Sequence, residues 1–118
     1  MYGLPAGENF AFLVGLALDQ VCIGRHEMIL NFEADTSINV EGNLGVESPE
    51  GRELVQDDLR QAVADVALLL AKRVTNVIPR PEGTLTLTFD SGSRLNIYDS
   101  SERYESYQIR HGSDLYVI

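Results

Sequence analysis

Residues 84–98, Thr-Leu-Thr-Leu-Thr-Phe-Asp-Ser-Gly-Ser-Arg-Leu-Asn-Ile-Tyr, constrain the fold of this chain more than any other stretch. Leu85, Leu87 and Phe89 alternate with Thr84, Thr86 and Thr88, and Leu95 and Ile97 resume the alternation after a polar break. A period of two puts the aliphatic side chains on one face of a half-buried strand. The break is Asp90-Ser91-Gly92-Ser93. Asp at the first corner bonds its own backbone, and Gly supplies the left-handed residue that a bulged turn needs. The pattern predicts a hairpin whose outward side, Thr84, Thr86, Thr88, Asn96 and Tyr98, faces water.

The rest of the chain supplies more strands and one helix. Strands are expected over about 17–23, with Cys22 on the face opposite Val21 and Ile23, and over 28–32, with Met28, Leu30 and Phe32 inward. A third covers 37–41, with Ile38 and Val40 inward, and residues 42–51 read as a loop. Phe10 to Leu18 fits either a buried helical turn or the entry to a strand. Val55, Leu59, Ala62, Val63, Val66, Leu69 and Leu70 fall three and four apart, which predicts a helix over about 52–73. Ser48-Pro49 signals its start, and Lys72 and Arg73 complement its negative end. A short strand Val74–Ile78 follows, ended by Pro79-Arg80-Pro81; a strand over 104–109, a turn at 111–114 and a terminal strand close the chain.

The chain also resembles itself. Leu30 to Val40 lies over Leu87 to Ile97, with Phe32 on Phe89, Asn39 on Asn96 and an acid at both Glu33 and Asp90. In that alignment Asp35 lies over Gly92, so both hairpins should turn through a left-handed residue. The expected fold is α+β: one domain over residues 1–118, with an N-terminal β unit (16–41), the helix (52–73) and a C-terminal β unit (74–118). Its antiparallel sheet has six to seven strands built from two similar hairpin units, with the helix on one face. A strongly curled sheet or half-barrel is the alternative.

Charge narrows the partners. The chain has 118 residues, 18 acidic and 9 basic, for a net charge of -9. Its lysine content is Lys72 alone. Nucleic-acid binding rests on Lys and Arg neutralising phosphates, and anionic membranes make the same demand, so neither is expected as a partner. Cys22 has no second cysteine to pair with, which favours a reducing compartment. The apolar run Phe10–Leu18 is too short to span a bilayer and no basic region precedes it, so a cytoplasmic location without a signal peptide is expected.

Three stretches resemble a known family. Gly15-Leu16-Ala17-Leu18-Asp19-Gln20-Val21-Cys22-Ile23-Gly24, the hairpin Gly83 to Gly92, and Tyr104-Glu105-Ser106-Tyr107-Gln108-Ile109 together look like a family of small bacterial domains of unknown function. The matched motifs are a G-x-x-L-x-Q-V-x-I-G opening, an L-x-L-x-F-x-x-G hairpin and a late Y-E-S-Y-x-I strand. The resemblance implies no activity and no catalytic residue. Small acidic domains of this kind are similar to immunity-type proteins that neutralise secreted toxins.

Candidate chemistry is sparse. Asp99, Glu102 and Glu105 form a carboxylate group that an acid–base enzyme would need, but they sit in a segment between strands where solvated polar residues belong. His26 and His111 each adjoin an arginine near a turn, without a second ligand at metal spacing, and read as exposed turn residues. A phosphate loop, nucleotide fingerprint and nucleophile elbow are missing, so neither a cofactor nor a metal is expected. Tyr98, Tyr104, Tyr107 and Tyr116 concentrate in the C-terminal third, and tyrosines on an exposed sheet face make good partner contacts. The expected function is therefore a non-enzymatic protein-binding or self-associating module, using those tyrosines or the edge at Tyr116-Val117-Ile118. An immunity-type inhibitor and an enzyme built on Asp99, Glu102 and Glu105 are the alternatives.

Overall fold

The computed structural model describes residues 4–5, 7–56, 58–99 and 106–118. A 3₁₀ turn, Ala11–Leu13, leads into strands β1 (Leu18–Ile23), β2 (Met28–Phe32), β3 (Thr36–Val40), β4 (Leu44–Glu47) and β5 (Glu53–Gln56). Helix α1 (Leu59–Ala67) follows, then β6 (Val74–Pro79), β7 (Leu85–Phe89), β8 (Arg94–Ile97), β9 (Tyr107–His111) and β10 (Asp114–Val117). The strands form two open five-stranded antiparallel sheets, ordered β1-β2-β3-β9-β10 and β5-β4-β8-β7-β6. Each sheet is a three-strand meander from one half of the chain, completed by a hairpin from the other half. The β9–β10 hairpin pairs with β3, and the β4–β5 hairpin pairs with β8.

One hydrophobic core joins both sheets and the helix. Met28, Leu30, Ile38, Val40 and Tyr107 come from the first sheet, Leu44, Leu85, Leu87, Leu95 and Ile97 from the second, and Ala62 and Val66 from α1. In β2 and β3 every second residue is buried, as period two requires. Burying a side chain of this size stabilises the fold by about 1.5–3 kcal/mol relative to leaving it in water.

The two sheets meet at a crossing between residues 15–18 and 71–74, where Ala17 bridges Arg73 in antiparallel fashion. Hydrogen bonds there come in matched couples. The Gly15 N–H donates to the Val74 carbonyl and the Ala71 N–H to the Leu18 carbonyl, both at 2.8 Å. The Leu18 N–H donates to the Lys72 carbonyl at 3.1 Å and the Val74 N–H to the Leu16 carbonyl at 3.0 Å. Moving 56 positions along the chain, as from Ala17 to Arg73, turns one bond of each couple into the other. The turns before the crossing match too: Leu13 N–H to Phe10 carbonyl is paralleled by Leu69 N–H to Val66 carbonyl, and Leu16 N–H to Leu13 carbonyl by Lys72 N–H to Leu69 carbonyl. The β1–β2 ladder shifts register between Leu18 and Gln20, and the β6–β7 ladder between Val74 and Asn76. The backbone is left-handed at Gly15 (φ 91°) and Ala71 (φ 68°), and again at the two hairpin turns, Asp35 (φ 52°) and Gly92 (φ 89°).

Several expectations need correction. Among the described residues there are ten strands in two sheets rather than six to seven in one, and neither sheet closes or curls strongly. Two hairpin units do not account for them, because each sheet takes in a hairpin from the other half. Residues 42–51 are not a loop: Leu44–Glu47 is β4, a strand too short to show its alternation around Gly45. The helix is Leu59–Ala67, not 52–73. Ser48-Pro49 opens the β4–β5 turn instead, where the Ser48 Oγ accepts from the Arg52 N–H at 3.2 Å and Gly51 adopts φ 88°. Asp58 is the true cap, its side chain accepting from the Arg60 N–H at 3.0 Å. At the other end, residues 71–74 leave the helix to pair at the crossing.

The outward hairpin face is not wet either. Thr84, Thr86 and Asn96 are 5%, 0% and 7% exposed. Among the described residues no helix is long and apolar enough to cross a membrane.

Candidate functional site

A cleft of about 860 Å³ opens between the β4–β5 hairpin, the end of α1 and the β7–β8 turn. That volume lies within the range of small-molecule pockets. Val46 and Leu69 form its floor, continuous with the core. Leu54 and Leu68 line it while remaining 60% and 75% exposed. Glu50 and Asp65 place two acids around it against one base, Arg52, with Ser48 and Ser93 supplying hydroxyls. Local structure explains the exposure of both leucines. The helix turns Leu59, Ala62, Val66 and Leu69 into the core, which leaves Leu68 off that stripe. Leu54 sits on β5, an edge strand of only four residues.

The outer side of the second sheet is a satisfied polar lattice. The Thr86 hydroxyl donates to the Asn96 Oδ1 at 2.7 Å and accepts from the Arg80 Nε at 3.1 Å. The Asn96 Nδ2 donates to the Glu53 Oε2 at 2.7 Å, and the Tyr98 hydroxyl donates to that same oxygen. The Arg94 guanidinium pairs with Glu47 at 3.2 Å. These long side chains cover the threonine face, which is why Thr86 is dry. Gly45 makes room for this: a Cβ there would collide with the Glu53 carboxylate. Burial, then the hydrogen bond and charge of Glu53, push the Tyr98 hydroxyl well above its ordinary range. Tyr98 therefore stays protonated and donating at neutral pH. The lattice holds the Glu53 carboxylate on the face of β5 opposite Leu54.

The three described tyrosines, Tyr98, Tyr107 and Tyr116, do not form one surface. Tyr107 is fully buried, its hydroxyl donating to the Gly83 carbonyl at 2.7 Å, and burial raises its pKa. This corrects its expected place on an exposed face: the side of β9 that carries Tyr107 and Ile109 is the core side. Tyr116 is half-buried in β10, edge-on to Phe10 with ring centres 5.1 Å apart and nearly parallel to Phe12 at 6.1 Å. Tyr98 belongs to the other sheet's lattice, and Tyr104 lies outside the described residues.

Asp99 accepts from the Ser106 Oγ at 2.8 Å, while Glu102 and Glu105 lie outside the described residues. His26 is exposed, but His111 is not a free turn residue. Its ring stacks on Phe12 at 4.1 Å and 15°, and its Nδ1 lies 2.9 Å from the Thr36 hydroxyl. That hydroxyl also donates to the Ala34 carbonyl at 3.0 Å, so the His111 Nδ1 is the donor of the pair. Cys22 is half-buried, with the Asn31 amide 3.8 Å from its sulfur. Among the described residues no three His, Cys, Asp or Glu gather to hold a metal.

The cleft was hidden in the sequence by the overlong helix. Its signal is present, however: Leu54 and Leu68 are large apolar residues off the helical stripe. A family model described as a family of unknown function (DUF6188) matches residues 11–118. No curated protein and no solved structure matches the chain.

Proposed function

This chain belongs to the family of unknown function DUF6188, and on that footing we propose that it is a non-enzymatic protein-binding module whose docking site is the cleft between α1 and the β4–β5 hairpin. The observation that carries this reading is the pair of exposed leucines, Leu54 and Leu68, facing a cleft rimmed by the acids Glu50 and Asp65. Leucines at 60% and 75% exposure still have apolar area to bury against a partner. The acidic rim selects a partner whose apolar anchor is flanked by basic residues, and the net charge of -9 speeds its approach. The partner is therefore a basic, apolar-anchored protein segment. The matched hydrogen-bond couples and ladder shifts also support reading the chain as two copies of one meander-plus-hairpin unit.

Titration of the ¹⁵N-labelled protein with the pentapeptide Lys-Lys-Leu-Lys-Lys tests the docking reading. Amide shifts should concentrate at Ser48, Leu54, Leu68 and Ser93, weaken with added salt, and vanish when glutamate replaces the lysines. Saturation without shifts at those residues, or shifts centred elsewhere, would overturn it.

A further inference from the structure

The cleft has a filled counterpart in the same molecule. Ladder partners identify it residue by residue. On the second sheet Val46 faces Leu95 of β8 and Leu54 of β5. On the first sheet Ile109 faces Ile38 of β3 and Tyr116 of β10. Leu95 and Ile38 are the matched positions of the two meanders, so Val46 corresponds to Ile109 and Leu54 to Tyr116. One step further along β9, His111 faces Thr36. The same step beyond β4 reaches Ser48, and the residue matching Thr36 is Ser93. The turns before the crossing match Leu13 with Leu69, and so Phe12 with Leu68.

The first-sheet set is closed by aromatic rings. Phe12 stacks on His111 with centres 4.1 Å apart and lies nearly parallel to Tyr116 at 6.1 Å. The same positions on the second sheet carry Leu68, Ser48 and Leu54, and there the cleft lies open. Where the first sheet has three rings against it, the second has two leucines and a serine. The open volume stands where ring volume stands against the first sheet.

We propose that the cleft receives an aromatic side chain from the partner, seated between Leu54 and Leu68 over the Ser48–Ser93 end, with basic neighbours paired to Glu50 and Asp65. This rests on the docking reading and names its anchor. Its counterpart, reached through the matching ladder partners, holds Phe12 at stacking distance from a ring. An indole buries more apolar area than a leucine side chain, and an extra ~60 Å² at ~25 cal/mol/Å² amounts to about a tenfold gain in affinity.

The probe is Lys-Lys-Trp-Lys-Lys, whose indole fluoresces against a chain that has no tryptophan. Its emission should shift to the blue on binding, and Lys-Lys-Leu-Lys-Lys should displace it with about tenfold weaker affinity. Leu68→Phe, which installs in the cleft the ring that Phe12 supplies in the other half, should weaken the tryptophan peptide at least tenfold. Leu68 is 75% exposed, so the substitution leaves the core intact. Equal affinity for the two peptides would overturn the aromatic anchor and leave the docking reading standing. Unchanged binding to Leu68→Phe would also overturn it. Failure of both peptides to bind would sink the docking reading itself.

Discussion

Thr86→Val removes one hydroxyl from a side chain with 0% exposure and keeps its shape. The lost group donates to the Asn96 Oδ1 at 2.7 Å and accepts from the Arg80 Nε at 3.1 Å. Arg80 is exposed and its nitrogen can turn to water. Asn96 is only 7% exposed, so its oxygen is left desolvated and unpaired. Leaving one such buried acceptor without a donor costs about 1–3 kcal/mol, offset in part by the valine methyl, for a net loss of about 1.5 kcal/mol. At roughly 4 °C per kcal/mol for a domain of this size, Tm should fall by about 6 °C. Urea unfolding of Thr86→Val, Asn96→Ala and the double variant supplies the check. The two single losses should be non-additive by at least ~0.5 kcal/mol, because both break one bond. A Thr86→Val protein within about 1 °C of the parent, or losses that simply add, would refute the claim that this lattice is dry and coupled.

Three further outcomes follow from the same geometry. Ala71 holds φ 68°, a conformation costing a non-glycine residue about 1–2 kcal/mol, whereas its counterpart is Gly15; Ala71→Gly should stabilise the fold by about 0.5–1 kcal/mol in urea, and a loss would contradict the strain. Tyr98 and Tyr107 both have pKa values raised above the ordinary 10.0, so the folded state holds their protons more tightly than the unfolded chain does. Their contribution is complete below about pH 10 and is lost as pH rises beyond it, so Tm should fall on the alkaline side, and less steeply in Tyr107→Phe; a flat alkaline profile would count against it. Glu33 is shifted the other way, lowered first by the Ala17 N–H and then by Arg73, so its contribution is present above pH 4.5 and fades as pH falls; Glu33→Gln should flatten the acid limb of the stability curve, and an unchanged limb would count against that role.

Strand patterns were legible wherever five or six residues alternated cleanly. Residues 28–32 and 85–89 are such cases, with buried Met28, Leu30 and Phe32 and buried Leu85, Leu87 and Phe89. The self-resemblance was legible too, but not its consequence. Which hairpin joins which meander depends on pairings between residues far apart, such as Val40 with Tyr107 and Leu44 with Ile97, and nothing local encodes that exchange. The helix was overextended because Glu53–Gln56 has acceptable helical residues and is a strand only through its ladder with β4. The threonine face misled for a related reason. Thr86 looks solvent-facing until Arg80, Glu53 and Tyr98 are folded across it. The cleft inherits both errors, since it lies between a strand and a helix end that the periodicity had merged into one helix.

The docking account is tested most directly by the protons that touch the bound ring. In a complex of the ¹³C-labelled protein with Lys-Lys-Trp-Lys-Lys, nuclear Overhauser contacts should run from the indole to the methyl groups of Leu54 and Leu68. Contacts instead to exposed apolar residues far from the cleft, such as Ile23 or Leu115, would contradict it.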